Sequence, residues 1–298
     1  MTTGVAVRQS GFAIIDKPVG ITSFSLLASL GRALGPTTKS GHAGTLDSFA
    51  SGVLICLFGR YTRLSDYFMS TSKGYQADIL FGEETDTLDP TGTVVARGPV
   101  PTSEALHAAL AGFRGDIMQA PPAYSAVHID GQRAYERARK GQDVKPAPRP
   151  VTIHALDLVS YDGGIARINV SCSKGTYIRS LARDIALAAG SRGRLSALRR
   201  TFSGPFTVER ATAVDDFGPA SLLTLDQSLA SALGLGVVRL SDEEAGVFSN
   251  GLPLFRLAAF SKLETVSPAA VFGPDERLLG IVTKLVAGWH YAFVMGNA

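Results

Sequence analysis

Two cysteines, Cys56 and Cys172, are all this 298-residue chain contains, and two thiols build no disulfide framework. Its five histidines (42, 107, 128, 154 and 290) are scattered, and no Cys/His spacing resembles a zinc site, so no metal is expected. Long hydrophobic runs are missing too. The longest, such as "VLICLF" (53–58), are strand-sized and far short of the roughly 18 to 20 residues of a membrane span, which argues against a membrane role. "MTTGVAVRQSGF" lacks the continuous apolar core of a signal peptide, so export is not expected and the cytoplasm is the expected location. Charge is sparse: 18% of residues, with a formal net charge of +3. That mild basic excess is compatible with a polyanionic partner without demanding one. There is neither an internal repeat nor a low-complexity segment. What the chain has is apolar content, 45%, ample for a packed core, and a length that suggests about two domains.

Strand and helix signals alternate along it. "FAIID" (12–16) reads as a short buried strand entering the turn "KPVGITS". Ser23 is positioned to cap a helix over "FSLLASLGRAL", which Gly35-Pro36 stops. "VLICLF" and "YQADILFG" (75–82) read as strands, and "TDTLDPTG" (85–92) as turn chemistry. "PTSEALHAALAGF" (101–113) predicts a helix with a Thr102 cap, Glu104 in the first turn and a closing Gly112. "YSAVHIDGQRAYERARKG" (124–141) reads as strand, Asp-Gly turn and helix, placing Arg133, Arg137 and Lys140 on one helical face, either solvated or in contact with phosphate. "VTIHALDLVSY" and "IARINVSCS" flank Asp162-Gly163-Gly164, a hairpin signal. "KGTYIRSLARDIALAAG" (174–190) predicts an amphipathic helix from near Thr176 to Gly190. Interleaved hairpins and helices point to an α+β fold with a mixed or largely antiparallel sheet flanked by helices. Composition changes after about residue 230, and Gly234 and Gly236 mark a boundary between domains 1–233 and 234–298, the second small and β-rich.

"GHAGTLDSFASG" (41–52) sets one carboxylate, Asp47, among small residues. Such an aspartate is a turn or cap residue, or a catalyst held in a purpose-built loop. Tyr75 opening a strand, Arg179 in a "GTYIR" helix start and Lys17 ending the first strand favour the second reading. An arginine beside a shielded carboxylate keeps it ionised and oriented, a role open to Arg179 if it reaches Asp47.

The quoted stretch resembles the central motif of the bacterial tRNA pseudouridine-55 synthases, the TruB family, whose usual form is GH-(T/A)-G-(T/A)-LDP-x-A-x-G. "DKPVGITS" (16–23), "GYQADILFGEETDTLDPTG" (74–92), "CSKGTYIRSLARDI" (172–185) and "LRR" (198–200) are similar to that family's other motifs, in order and at fitting spacing over residues 11 to 210. The resemblance implies a pseudouridine-synthase-like core and a reaction: the uridine in the TΨC loop of tRNA is flipped out, its N1–C1′ bond is broken, and the uracil is turned and rejoined through C5, without cofactor or metal. Asp47 then matches the catalytic aspartate, as nucleophile or base; Tyr75 the tyrosine that stacks on the base and takes part in moving the C5 proton; and Arg179 the aspartate's partner. Tyr177 and Leu198 match residues lining the uracil pocket, and His42 the residue that enters the space the uridine leaves, with Gly41, Ala43 and Gly44 small so that RNA can approach. Lys17 supports the loop, and Arg133, Arg137, Lys140, Arg199 and Arg200 are candidate phosphate contacts. The tail, with "LSDEEAGVFSNGLPL" as its opening, resembles a PUA-type RNA-binding module. The chain departs from the motif at Ser48, where proline is usual and would fix a backbone dihedral, and at Ala43, where threonine is frequent.

The expected partner is the TΨC arm of tRNA, bound by a monomer. Two other readings are a guide-RNA-dependent synthase, whose longer and more basic tail is missing here, and a tRNA-folding chaperone that binds without isomerising. The presence of Asp47, Tyr75 and Arg179 together argues against a purely non-catalytic protein.

Overall fold

The computed structural model describes residues 10–296 apart from 130, 143, 262 and 287. Two neighbouring strands, β1 (Gly11–Lys17) and β2 (Ser51–Phe58), are apolar at nearly every position because both of their faces are covered. They pair antiparallel with Ile14 opposite Ile55. On one face Ala13, Ile15, Leu54, Cys56 and Phe58 pack against Leu26, Leu27 and Leu30 of helix α1 (Ser23–Leu34). On the other, Phe12, Ile14, Val53, Ile55 and Leu57 share a core with residues beyond 224.

Further strands extend this pair into one mixed sheet: β3 (Lys73–Phe81), β4 (Gly115–Gln119), β5 (Arg149–Asp162), β6 (Ile165–Cys172) and β7 (Gly193–Ser203). Its order runs Thr212–Ala213, β1, β2, β7, β3, β6, β5, β4. All neighbours are antiparallel except Thr212–Ala213 on β1 and the short contact between β7 and β2, where Arg199 and Arg200 lie opposite Ser51 and Gly52. Helices α2 (Ser103–Ala111) and α3 (Ile178–Ala188) cover β3, β6 and β7, with Leu106, Leu181 and Ile185 on Ile79, Ile168 and Leu195. The hairpin β5–β6 turns through Gly163 and Gly164 at φ 55° and 78°, the positive values a two-residue reversal needs.

A second, four-stranded sheet begins at Gly236: β8 (Gly236–Arg239), β9 (Ala269–Phe272), β10 (Leu278–Leu285) and β11 (Gly288–Val294). Ala270, Phe272 and Ile281 enter the core that holds Phe12 and Val53. Arg63 ties the two sheets further, donating to the carbonyl of Val294 at 3.1 Å with its guanidinium over Phe293. The helix expected from "LSDEEAG" is Asp242–Ser249, opened by a reciprocal Ser241–Glu244 cap. Among the described residues no helix is long and apolar enough to cross a membrane.

Three local expectations are corrected. Thr22, not Ser23, caps α1, accepting from the amide of Ser25, while Ser23 is buried inside the helix. Helix α3 starts at Ile178 rather than near Thr176, whose hydroxyl donates to the carbonyl of Ser173. The basic helix is only Ala134–Arg139, because Gln132–Arg133 pairs as a strand with His128–Ile129. Arg133 and Lys140 thus fall outside it and the shared helical face does not form; Asp130 and the side chain of Arg133 lie outside what the structure describes.

Candidate active site

Asp47 sits on the loop between the short strand Ser40–His42 and β2, and almost every residue around it is tied to something distant in sequence. The hydroxyl of Ser23 accepts from the Leu46 amide at 2.9 Å and donates to the Leu46 carbonyl at 2.8 Å. The Gly20 amide donates to the carbonyl of Ser48 at 2.7 Å. Lys17, 0% exposed, donates to the carbonyl of Ala50 at 2.6 Å. Arg200 donates to the carbonyl of Gly44 at 3.1 Å. Gly44 has φ 95°, a conformation glycine adopts freely. Ser48, in place of a dihedral-fixing proline, therefore sits in a segment already held at both flanks and at its own carbonyl.

Arg179, two residues into the first turn after Tyr177, is 8% exposed and faces two carboxylates. Its Nε lies 2.9 Å from Asp47 Oδ2, and its Nη1 3.6 Å from Asp89 Oδ2. It also donates to the carbonyls of Thr87 at 2.9 Å and Tyr124 at 3.0 Å. Asp89, 7% exposed, is itself locked by the Thr87 and Thr91 hydroxyls and the Thr91 amide. Asp47 is the open member, 38% exposed. Its inward side is shielded enough that burial raises its pKa above the ordinary value, while Arg179 and Lys17 pull it back down and Asp89 adds to the rise.

The remaining candidates divide. Tyr75 on β3 packs with Leu198 against the same core as Leu46, and burial raises its phenol pKa while the Arg200 charge opposes the rise. Lys17 is lowered by burial to about 8, with Asp47 opposing. His42 ends its strand with Nδ1 buried and, among the described residues, without a hydrogen-bond partner, and burial, then Arg200, holds the imidazole pKa below its ordinary value. Tyr177 is clipped by Gln119, which accepts from its amide at 2.8 Å and donates to its carbonyl at 3.1 Å, and Arg149 lies over its ring.

Arg200 is corrected as a phosphate contact: it is 2% exposed and spends its donors on backbone carbonyls inside the protein. Arg199 is half-exposed but forms a bidentate pair with Asp16 at 2.7 and 3.1 Å, which neutralises its charge. Arg137 donates to Gln142 at 3.0 Å, and Lys140 is exposed just past the short helix. Ala43 is also reassigned, since it belongs to the core with Val53 and Ile55 and makes no room for RNA. The sequence does not point to Asp89 or Gln119 as site residues, and it points to Ser23 only as a helix cap. Nothing in the sequence marks Asp89: Thr-Leu-Asp occurs three times, at 45–47, 87–89 and 224–226, and the structure brings only the first two aspartates to one arginine.

Comparison with known proteins gives this geometry a context. A family model described as TruB family pseudouridylate synthase (N terminal domain) matches residues 32–178. The tRNA pseudouridine synthase B of Borreliella burgdorferi (strain ZS7) is 44% identical over 221 residues, 73% of this chain and 78% of that protein. The protein of the same name from Arthrobacter sp. (strain FB24) is 41% identical over 284 residues, 92% of each chain. A chain in the crystal structure of a Cbf5-Nop10-Gar1 complex superposes with a TM-score of 0.71 at 22% identity, covering 96% of this chain and 85% of that one, a likeness of fold. With two relatives above 40% identity over most of their lengths, the chain belongs to the TruB family of pseudouridylate synthases.

Proposed function

We propose that this chain isomerises the uridine at position 55 of tRNA, in the TΨC loop, to pseudouridine. The observation that carries the reading is the Asp47 carboxylate, open on one side and held on the other by a buried arginine at 2.9 Å. Catalysis here needs an ionised carboxylate beside the ribose, and Arg179 favours that form against the burial. Asp47 acts as nucleophile or base while the N1–C1′ bond breaks. The uracil turns, C5 bonds to C1′, C5 loses its proton and N1 gains one, so the atoms balance without metal or cofactor.

A uridine within an RNA loop reaches this site only by extrusion, at a cost of a few kcal/mol of stacking. A His42 imidazole kept neutral is suited to fill the vacated space between bases. Tyr75, Tyr177 and Leu198 supply the aromatic and apolar surfaces on which an unstacked base rests. Lys17 keeps the loop in place. Arg133, Arg137 and Lys140 contact phosphates along the approach. In this reading residues 1–233 form the catalytic domain and 234–298 a PUA-type module that grips the tRNA away from the reaction. The protein works as a cytoplasmic monomer.

The test is to incubate the chain and its Asp47→Asn variant with an unmodified tRNA transcript and map pseudouridine by carbodiimide adduct and primer extension. A single stop in the TΨC loop, with wild type alone, is the expected result. Tight tRNA binding without a stop from either protein would replace this reading by that of a binding chaperone.

A further inference from the structure

Arg200 is a full charge in the interior, since a guanidinium does not shed its proton in proteins. Among the described residues it forms no ion pair with a carboxylate; its hydrogen bonds go from Nε to the carbonyl of Val53 at 2.6 Å and from Nη2 to that of Gly44. Its surroundings are cationic: Lys17 and Lys73 are both buried, both lowered to about 8, and its charge contributes to each depression. An uncompensated buried cation is costly, so its position calls for a reason beyond holding two carbonyls.

The reason lies across the strand. In the β7–β3 register Arg200 is directly opposite Tyr75, so the two side chains leave the sheet on the same face, and the guanidinium charge acts on the phenol. Arginine is a fixed positive charge with only donors, so what it favours on the phenol is negative charge on the oxygen. The other groups acting on Tyr75 are Asp47 from the catalytic loop and Cys172 from β6, both of which disfavour a phenolate; Arg200 is the opposing group.

We propose that Arg200 is a positioning residue for Tyr75, its buried charge across the strand stabilising negative charge on the phenol oxygen while Tyr75 removes the C5 proton of the rejoined uracil. This rests on the pseudouridine synthase reading above. In that step the phenolate takes the C5 proton. The C5–H electron pair restores the C5–C6 double bond, the displaced π pair moves to N1, and N1 takes a proton from water. The phenol then returns its proton to solvent.

Single-turnover rates at saturating tRNA transcript, followed from neutral to alkaline pH, test the assignment. Removing the cation in Arg200→Met raises the phenol pKa, so the rising limb moves to higher pH. The variant is then expected to be slower by about tenfold or more at neutral pH, with the gap closing as pH rises. Arg200→Lys keeps most of the wild-type profile. Placing 3-fluorotyrosine, a more acidic phenol, at position 75 of the otherwise unaltered chain moves the limb to lower pH, and in Arg200→Met it recovers the lost rate. Equal losses at every pH in both arginine variants, or a limb that ignores fluorotyrosine, would reduce Arg200 to a backbone tie. The fluorotyrosine protein decides alone if Arg200→Met does not fold. A wild-type chain that forms no pseudouridine at any pH overturns the earlier reading instead.

Discussion

The Asp47 loop and the turn between β5 and β6 are alike in composition, each an aspartate among glycines and other small residues, and they are built on opposite principles. The turn closes itself: Asp162 pairs with Ile165, and two glycines take the positive φ values the reversal demands. The loop is shaped from outside, by Lys17, Gly20, Ser23, Arg179 and Arg200, the last of these 156 residues from its partner Gly44. Local rules suffice to reverse a chain; holding one carboxylate half-open against a buried guanidinium takes the whole fold.

The contrast is tested most severely by Asp47→Asn, which should lower the single-turnover rate by at least about 10⁴-fold while tRNA binding, read by filter retention, is kept. Its stability should move the other way. Burial raises the Asp47 pKa in the folded state, so the ionised group loses stability for the wild type as pH rises through that raised value. The variant, having no such group, should melt at the same or a higher temperature at neutral pH. For the same reason the acid limb of wild-type activity should lie above the range of an ordinary aspartate.

Next in size is Arg179→Gln, which leaves Asp89 buried and unpaired and should cost about 3–5 kcal/mol in chemical denaturation, together with most of the activity. Ser23→Ala removes a hydroxyl that both donates to and accepts from Leu46. We expect a loss of about 1–3 kcal/mol and a slower rate with unchanged tRNA affinity, a split that a mere change in helix capping would not produce. The smallest effect belongs to the turn. Gly163 has φ 55° with open space where a Cβ would stand, so Gly163→Ala should cost roughly 1–2 kcal/mol and leave the rate of pseudouridine formation untouched. A rate defect there as large as that of Ser23→Ala would erase the distinction.

The same distinction governs how much of the molecule is legible in its sequence. The doubly buried strands, the helix capped by Thr102 and the hairpin at 162–165 follow from runs, caps and turn residues within a few positions, and the structure has them where those signals fall. Where two rules compete locally, the sequence underdetermines the result. Thr22 and Ser23 are both capping residues, and the choice between them is made by Leu46, which recruits Ser23. Arg199 and Arg200 are adjacent and chemically identical, yet strand alternation sends one to a half-exposed pair with Asp16 and the other into the interior. In the candidate site, the meeting of Asp47 with Arg179 was open to conjecture from residue types. The part of Asp89 was not, because its burial depends on the fold of a turn that reads as ordinary surface chemistry.

The core shared by β1 and the second sheet also has a consequence for how the protein is made. Phe12 meets Tyr61, Phe68 and Phe206 first along the chain, while Ala270, Phe272 and Ile281 of the same cluster are synthesised after all of these. The aromatic cover can therefore be in place before the second sheet exists, and that sheet adds the layer that completes the cluster. The core behind the first strand thus closes in two stages, and the second of them waits for the second sheet.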